Sequence, residues 1–225
     1  MNQKIAPSLM GMDLMNVERQ IKELNQYAYQ YHVDYIDWHY AKNMCLSPQF
    51  VGQLRKITDR PIDVHILVSD LDIDIIKETV NAGADILSLP VEEIEKNVFS
   101  YIDYIKSAGK KFGVVLNPAT SLDKIQGYID QVDEITFMGV TPGFAGQKLV
   151  PGVLEKIGQA HEIREKYGYR YLTQIDGGCH QEMLGRIMKT NVDIIIVGGT
   201  CLFSQNPDMN IAWKKMEEIF KQAIE

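Results

Sequence analysis

Residues 62–116 read IDVHILVSDLDIDIIKETVNAGADILSLPVEEIEKNVFSYIDYIKSAGKKFGVVL, and the alternation inside this stretch sets the architecture. Ile62–Val68 is a short apolar run rich in β-branched residues, as in a strand covered on both faces. Ile73–Ala82 follows with apolar residues every three or four positions, the period of a helix that buries one face. Asn81-Ala82-Gly83-Ala84-Asp85 then stops it, because glycine suits the left-handed residue at a helix end. The cycle repeats at once, with a strand at Ile86–Leu89, helical period over Ile94–Ala108, a stop at Ser107-Ala108-Gly109-Lys110 and a strand at Lys111–Leu116.

On either side the same rhythm continues. Lys4–Met10, Tyr31–Ile36, Glu134–Met138, Arg170–Ile175 and Ile194–Val197 bring the strand candidates to eight, and Asn16–Gln26, Pro151–Tyr167 and Met209–Ala223 add helix candidates. No Pro/Gly/Ser-rich linker divides the 225 residues, so residues 1–225 are expected to form one domain. Eight β-α units at this length predict an α/β fold, a single (β/α)8 TIM barrel, with a doubly wound open sheet as the runner-up.

Composition narrows the function classes. With 45% hydrophobic and 24% charged residues the chain is neither disordered nor collagen-like. A net charge of -7 repels a phosphate backbone, so no nucleic-acid partner is expected. Cys45, Cys179 and Cys201 are too scattered for a disulfide framework or a CxxC metal site, which fits a reducing cytoplasm. No apolar run approaches the ~20 residues of a membrane span, and MNQKIAPSLMGMDL lacks the order of a signal peptide, so a soluble chain without a membrane partner is expected.

In such a barrel, chemistry sits where strands end. His32 and Asp34 stand two apart and project from one strand face, His65 lies on the third strand, and Asp176 ends the seventh. Two imidazoles and two carboxylates converging on one rim can hold Zn²⁺ or another divalent ion such as Mn, Co, Fe or Mg. A phosphate site is read from Asp176-Gly177-Gly178 and Val197-Gly198-Gly199-Thr200, the loops after strands seven and eight, where backbone N–H groups can approach an anion. There is no Walker loop and no GxGxxG, which disfavours a nucleotide. After strand six, Met138-Gly139-Val140-Thr141-Pro142-Gly143-Phe144-Ala145-Gly146-Gln147 is small enough in its side chains to close over a ligand.

These residues resemble the ribulose-phosphate 3-epimerases, and more closely their D-allulose-6-phosphate 3-epimerase branch. The resemblance rests on Pro7-Ser8-Leu9-Met10, His32-Val33-Asp34, His65, Leu116-Asn117-Pro118, Pro142 to Gln147, Asp176-Gly177-Gly178 and Val197-Gly198-Gly199. It implies that His32, Asp34, His65 and Asp176 bind one divalent metal, with Asp34 and Asp176 also the acid/base pair. Moving a proton off one face of C3 and onto the other requires two carboxylates, and a metal on the ketone and hydroxyl oxygens would stabilise the enediolate between the steps. Ser8, His65 and Met138 would contact substrate, Gly177, Gly178, Gly198, Gly199 and Thr200 would hold its phosphate, and Gly143, Phe144, Ala145 and Gly146 would close over it. The implied partner is a phosphorylated ketose, in a homo-oligomer.

Epimerisation between D-allulose 6-phosphate and D-fructose 6-phosphate is the activity expected from the branch motifs PSLMGMDL and PGFAGQ. The alternatives are D-ribulose-5-phosphate 3-epimerase, a phosphosugar aldolase or synthase, and a non-catalytic phosphosugar-binding relative. Departures from the family pattern bear on substrate choice. HVDYIDWHYAKN stands where relatives read HIDxMDGxFVPN, so Ile36 replaces a methionine and Trp38 a glycine. Leu67 replaces a second methionine, and Pro90 stands where a histidine is usual. Trp38 is expected to redirect the loop after strand two or fill part of the sugar site. His39, His161 and His180 are read as surface or supporting residues, Asp63 as a carboxylate orienting a metal histidine, and Cys179 as no nucleophile.

Overall fold

The structure, a computed structural model, describes residues 3–223. Eight parallel strands form one sheet: β1 (Lys4–Pro7), β2 (Tyr31–Ile36), β3 (Ile62–Leu67), β4 (Ile86–Pro90), β5 (Lys111–Leu116), β6 (Glu134–Met138), β7 (Leu172–Asp176) and β8 (Ile194–Val197). Each strand from β2 to β7 pairs with the next in sequence, and β1 pairs with β8. A parallel bridge from Ser8 to His32 brings β1 back to β2, so the sheet curls into a barrel. The (β/α)8 expectation holds, and the open doubly wound sheet does not. β3, β4, β6 and β8 are buried at every position, because helices cover their outer face and the barrel interior their inner one.

The outer ring comprises α1 (Val17–Leu24), α2 (Pro48–Leu54), α3 (Ile73–Ala82), α4 (Val91–Ile94), α5 (Val98–Ser107), α6 (Gly152–Tyr167), α7 (Gln181–Met188) and α8 (Met209–Gln222). α3 shows the stops that its sequence encodes. Asp72 Oδ1 accepts from the amides of Asp74 and Ile75, both at 2.9 Å, and Gly83 ends the helix at φ 104°.

Two expected boundaries are corrected. The first strand ends at Pro7 rather than Met10, and Leu9–Gly11 forms a 3-10 turn. Helical period over Ile94–Ala108 is broken at Asn97, a residue type that favours a helix start, so α4 and α5 are separate and both Ile94 and Val98 reach the core. Between β5 and β6 there is no α-helix among the described residues, only 3-10 turns at Leu122–Ile125 and Ile129–Gln131. The three-residue spacing of Leu122 and Ile125 suits that tighter turn, and both side chains are buried. Lys156 of α6 caps the arrangement by donating to the carbonyls of Asn117, Pro118 and Thr120 at 2.9–3.0 Å. No described helix is long and apolar enough to cross a membrane.

Candidate active site

Strand alternation delivers the chemical side chains. His32 and Asp34 on β2, Asp63 and His65 on β3, Thr136 and Met138 on β6, and Gln174 and Asp176 on β7 each share a face two residues apart, and that face is the barrel interior. Register then sets their height: Asp34 lies beside His65 and Met138 beside Asp176.

His32, Asp34, His65 and Asp176 are brought together with one ligand atom of each within 4.8 Å of all the others. His32 Nε2 lies 3.0 Å from Asp34 Oδ1 and 3.6 Å from Asp176 Oδ2, and the His32 and His65 rings meet edge to face at 4.0 Å between centroids. The Ser8 hydroxyl donates to Asp34 Oδ2 at 3.1 Å. His32 and His65 are fully buried, as is nearly all of Asp34.

The electrostatics of this cluster follow from its crowding. Burial opposes a charged His32, but the carboxylates of Asp34, Asp176 and Asp63 outweigh it and push the imidazole up to about 9. Burial likewise opposes an ionised Asp34, yet the His32 and His65 rings and the Ser8 hydroxyl hold its carboxyl below the usual range. Asp176 goes the other way: burial, aided by the Asp34 and Asp63 charges, raises it despite His32. Two facing carboxylates are thus driven apart in proton affinity, the pattern of an acid/base pair. Two convergent carboxylates with two imidazoles also form the donor set of a divalent cation. The buried Nδ1 atoms of His32 and His65 have no hydrogen-bond partner, so each ring keeps one nitrogen that no other protein group uses.

A pocket opens above this cluster at the C-terminal mouth of the barrel. Ser8, Asp34, Met138, Gly143, Phe144, Ala145, Gly146, Asp176, Gly177, Gly178, Gly198, Gly199 and Thr200 all line it. His65 does not. It lies beneath, because Leu67, two residues further along the same face, takes the lining position. Ile36, Leu67 and Met138 pack with Val115 as an apolar cap, against which Met10 also rests.

The phosphate-type loops are glycine-rich for steric reasons. Gly177 at φ 84° would place a Cβ 2.5 Å from Val140 Cγ2, and Gly178 at φ 72° would place one 2.9 Å from Leu149 Cα. At Gly198 and Gly199 a Cβ would meet no atom within 4 Å, so those two border open space. The Cys201 thiol donates to Cys179 O at 2.7 Å and ties the two loops together. The loop after β6 is held from both sides: Asn43 Nδ2 donates to Gly143 O at 2.7 Å, and His180 Nε2 to Gln147 O at 2.8 Å.

His180 was placed among the surface or supporting residues by sequence, yet it lines the pocket with Cys179, Val140 and Ile196. Its position two residues after Gly178, in the loop that follows β7, is the sequence signal. Cys179 is buried and its thiol pushed well up, which makes it unreactive. Trp38 neither fills the sugar site nor lines the pocket: it is 52% exposed, with the Lys42 ammonium 5.7 Å from its ring centroid.

A parallel eight-stranded barrel with a His/Asp cluster under a glycine-rich mouth defines a class, the (β/α)8 barrels that carry their site at the C-terminal end of the strands. A model of the Ribulose-phosphate 3 epimerase family matches residues 4–203, and the chain belongs to that family. It is 33% identical to the ribulose-phosphate 3-epimerase of Bacillus subtilis, over 87% of this chain and 90% of that one. Identity to the Escherichia coli ribulose-phosphate 3-epimerase is 34%, over 91% and 90% of the two chains. Among solved structures, 3-hexulose-6-phosphate synthase from Salmonella typhimurium superposes with a TM-score of 0.72 at 15% identity, covering 98% of this chain and 100% of that one. The 3-keto-L-gulonate-6-phosphate decarboxylase from Vibrio cholerae gives 0.72 at 12%, covering 99% of both. These two share the fold. Family membership makes the protein a carbohydrate epimerase, an enzyme.

Proposed function

We propose that the protein epimerises C3 of D-ribulose 5-phosphate, giving D-xylulose 5-phosphate, with His32, Asp34, His65 and Asp176 holding one divalent metal. The observation that carries the chemistry is the meeting of Asp34 and Asp176 in one cluster with His32 and His65, one ligand atom of each within 4.8 Å of all the others. One carboxylate removes the C3 proton from its face and the other returns one to the opposite face. A bound divalent ion would supply a Lewis acid for the ketone and hydroxyl oxygens. Ser8 holds Asp34 in place through its hydroxyl, and the Ile36, Leu67 and Met138 cap keeps water from the reacting carbon. Gly177, Gly178, Gly198, Gly199 and Thr200 receive the phosphate, with Gly143 to Gly146 over the ligand.

The five-carbon substrate replaces the six-carbon one expected from the branch motifs, because the relatives at 33–34% identity are ribulose-phosphate 3-epimerases. D-Allulose 6-phosphate stays as a second reading on the strength of PSLMGMDL and PGFAGQ. We place the enzyme in the cytoplasm as a homo-oligomer by the family resemblance. The test is kcat/KM on both sugar phosphates with metal-loaded protein. A value at least about tenfold higher on D-ribulose 5-phosphate is expected, equivalent to about 1.4 kcal/mol of transition-state preference. The opposite ratio would select the six-carbon reading, and release of an aldehyde would overturn epimerisation.

A further inference from the structure

Beneath the metal-type cluster the barrel interior is polar, where barrels of this kind usually pack branched apolar side chains. Gln174 on β7 is the hub. It is fully buried, and its amide nitrogen donates to Asp63 Oδ2 at 2.8 Å and to Thr136 Oγ1 at 2.7 Å. Both acceptors converge on one atom: His65 Nε2 lies 3.3 Å from Asp63 Oδ2 and 3.2 Å from Thr136 Oγ1. The Ser88 hydroxyl donates to the other oxygen of Asp63 at 2.7 Å. Gly113 leaves it the room, since a Cβ there would stand 2.3 Å from Ser88 Oγ.

Below, the carbonyl side of the Gln174 amide faces Gln30 Nε2 at 3.4 Å, and that nitrogen donates to Glu134 Oε2 at 3.0 Å. Burial pushes the Glu134 carboxyl up to about 8, so near neutrality it adds little negative charge under Asp63. The Gln174 amide and the Ser88 hydroxyl both donate to Asp63, whose carboxylate faces Nε2 of His65. An ionised carboxylate only accepts, so the nitrogen of His65 that faces it carries the proton. Nδ1 of the same ring is buried and has no partner.

We propose that Gln174 is a positioning residue for the metal centre: by holding Asp63 and Thr136 against Nε2 of His65, it leaves Nδ1 as the nitrogen that His65 offers to the cation. This rests on the reading of His65 as a metal ligand made above. A ligating histidine whose other nitrogen donates to a carboxylate is fixed in tautomer and ring orientation, and loss of such support costs about 10–100-fold in metal affinity.

Two measurements test it. In Zn²⁺-loaded protein labelled with ¹⁵N-histidine, long-range ¹H–¹⁵N correlation is expected to show the His65 proton on Nε2 and the metal on Nδ1; a metal-bound Nε2 overturns the proposal. Gln174→Met keeps the volume and removes both donors. Titrated with Zn²⁺ against a chromogenic chelator, it is expected to bind about 10–100-fold more weakly than the wild type. Unchanged affinity in a folded Gln174→Met protein overturns the role of Gln174 while the metal site stands, whereas a wild type that binds no Zn²⁺ overturns the metal site itself. Should Gln174→Met fail to fold, the wild-type spectrum still decides.

Discussion

Asp34 and Asp176 reach the same cluster from β2 and β7, and their surroundings differ in kind. Asp34 takes a hydrogen bond from Ser8 and lies 3.0 Å from His32, while Asp176 sits at the rim with 15% of its side chain exposed. Replacing either by asparagine keeps the shape and removes the proton acceptor. Asp34→Asn and Asp176→Asn are each expected to lower kcat by about 10²–10⁴-fold, the usual contribution of a general acid or base. Exchange of the C3 proton with D₂O is the direct readout, and far-ultraviolet circular dichroism checks that the barrel persists. Near-normal exchange in either variant would remove that residue from the chemistry. Trp38 offers the contrasting case. Its ring faces solvent outside the pocket and its backbone is not left-handed, so Trp38→Gly is expected to leave the ratio of activities on five- and six-carbon substrates within about twofold, as for a surface change.

At the scale of elements, the caps that made the helices readable also hold them. Asp72 satisfies two amides at the start of α3, and that helix packs against α2, α5 and β4. Asp72→Ala is expected to cost about 0.5–2 kcal/mol in urea unfolding with activity unchanged, the usual effect of losing a capping oxygen. A larger loss of activity than of stability would show that α3 communicates with the site. Elements were legible where pattern and caps agreed, as in Ile73–Ala82, whose expected and observed bounds coincide. They were misread where apolar spacing outran local geometry. The break before Asn97 divides what the period over Ile94–Ala108 alone joins. The loop after β6 takes its shape partly from His180 and Asn43, contacts that span 33 and 100 residues and that no local pattern contains.

Across the whole molecule, four ligand-type groups from three strands converge on one point, and a cation there would bind the folded barrel but not the dispersed chain. Divalent metal is therefore expected to raise the Tm, with about 2.7 kcal/mol of added stability at a metal concentration 100-fold above Kd. Chelation should reverse the rise and abolish epimerisation, and Asp176→Asn should show little of it in a thermal scan. A Tm indifferent to every divalent ion would count against the site. The sequence alone determined the barrel, the four cluster residues and the glycine loops, because strand alternation and β-α rhythm are local periodicities that read directly onto a repeating fold. Only the tertiary structure decided that His65 lies under the pocket, that Trp38 stays outside it, that His180 borders it, and that Gln174 joins Asp63 to Thr136. Those facts depend on barrel register, which sets the height of each inward side chain against residues up to 111 positions away.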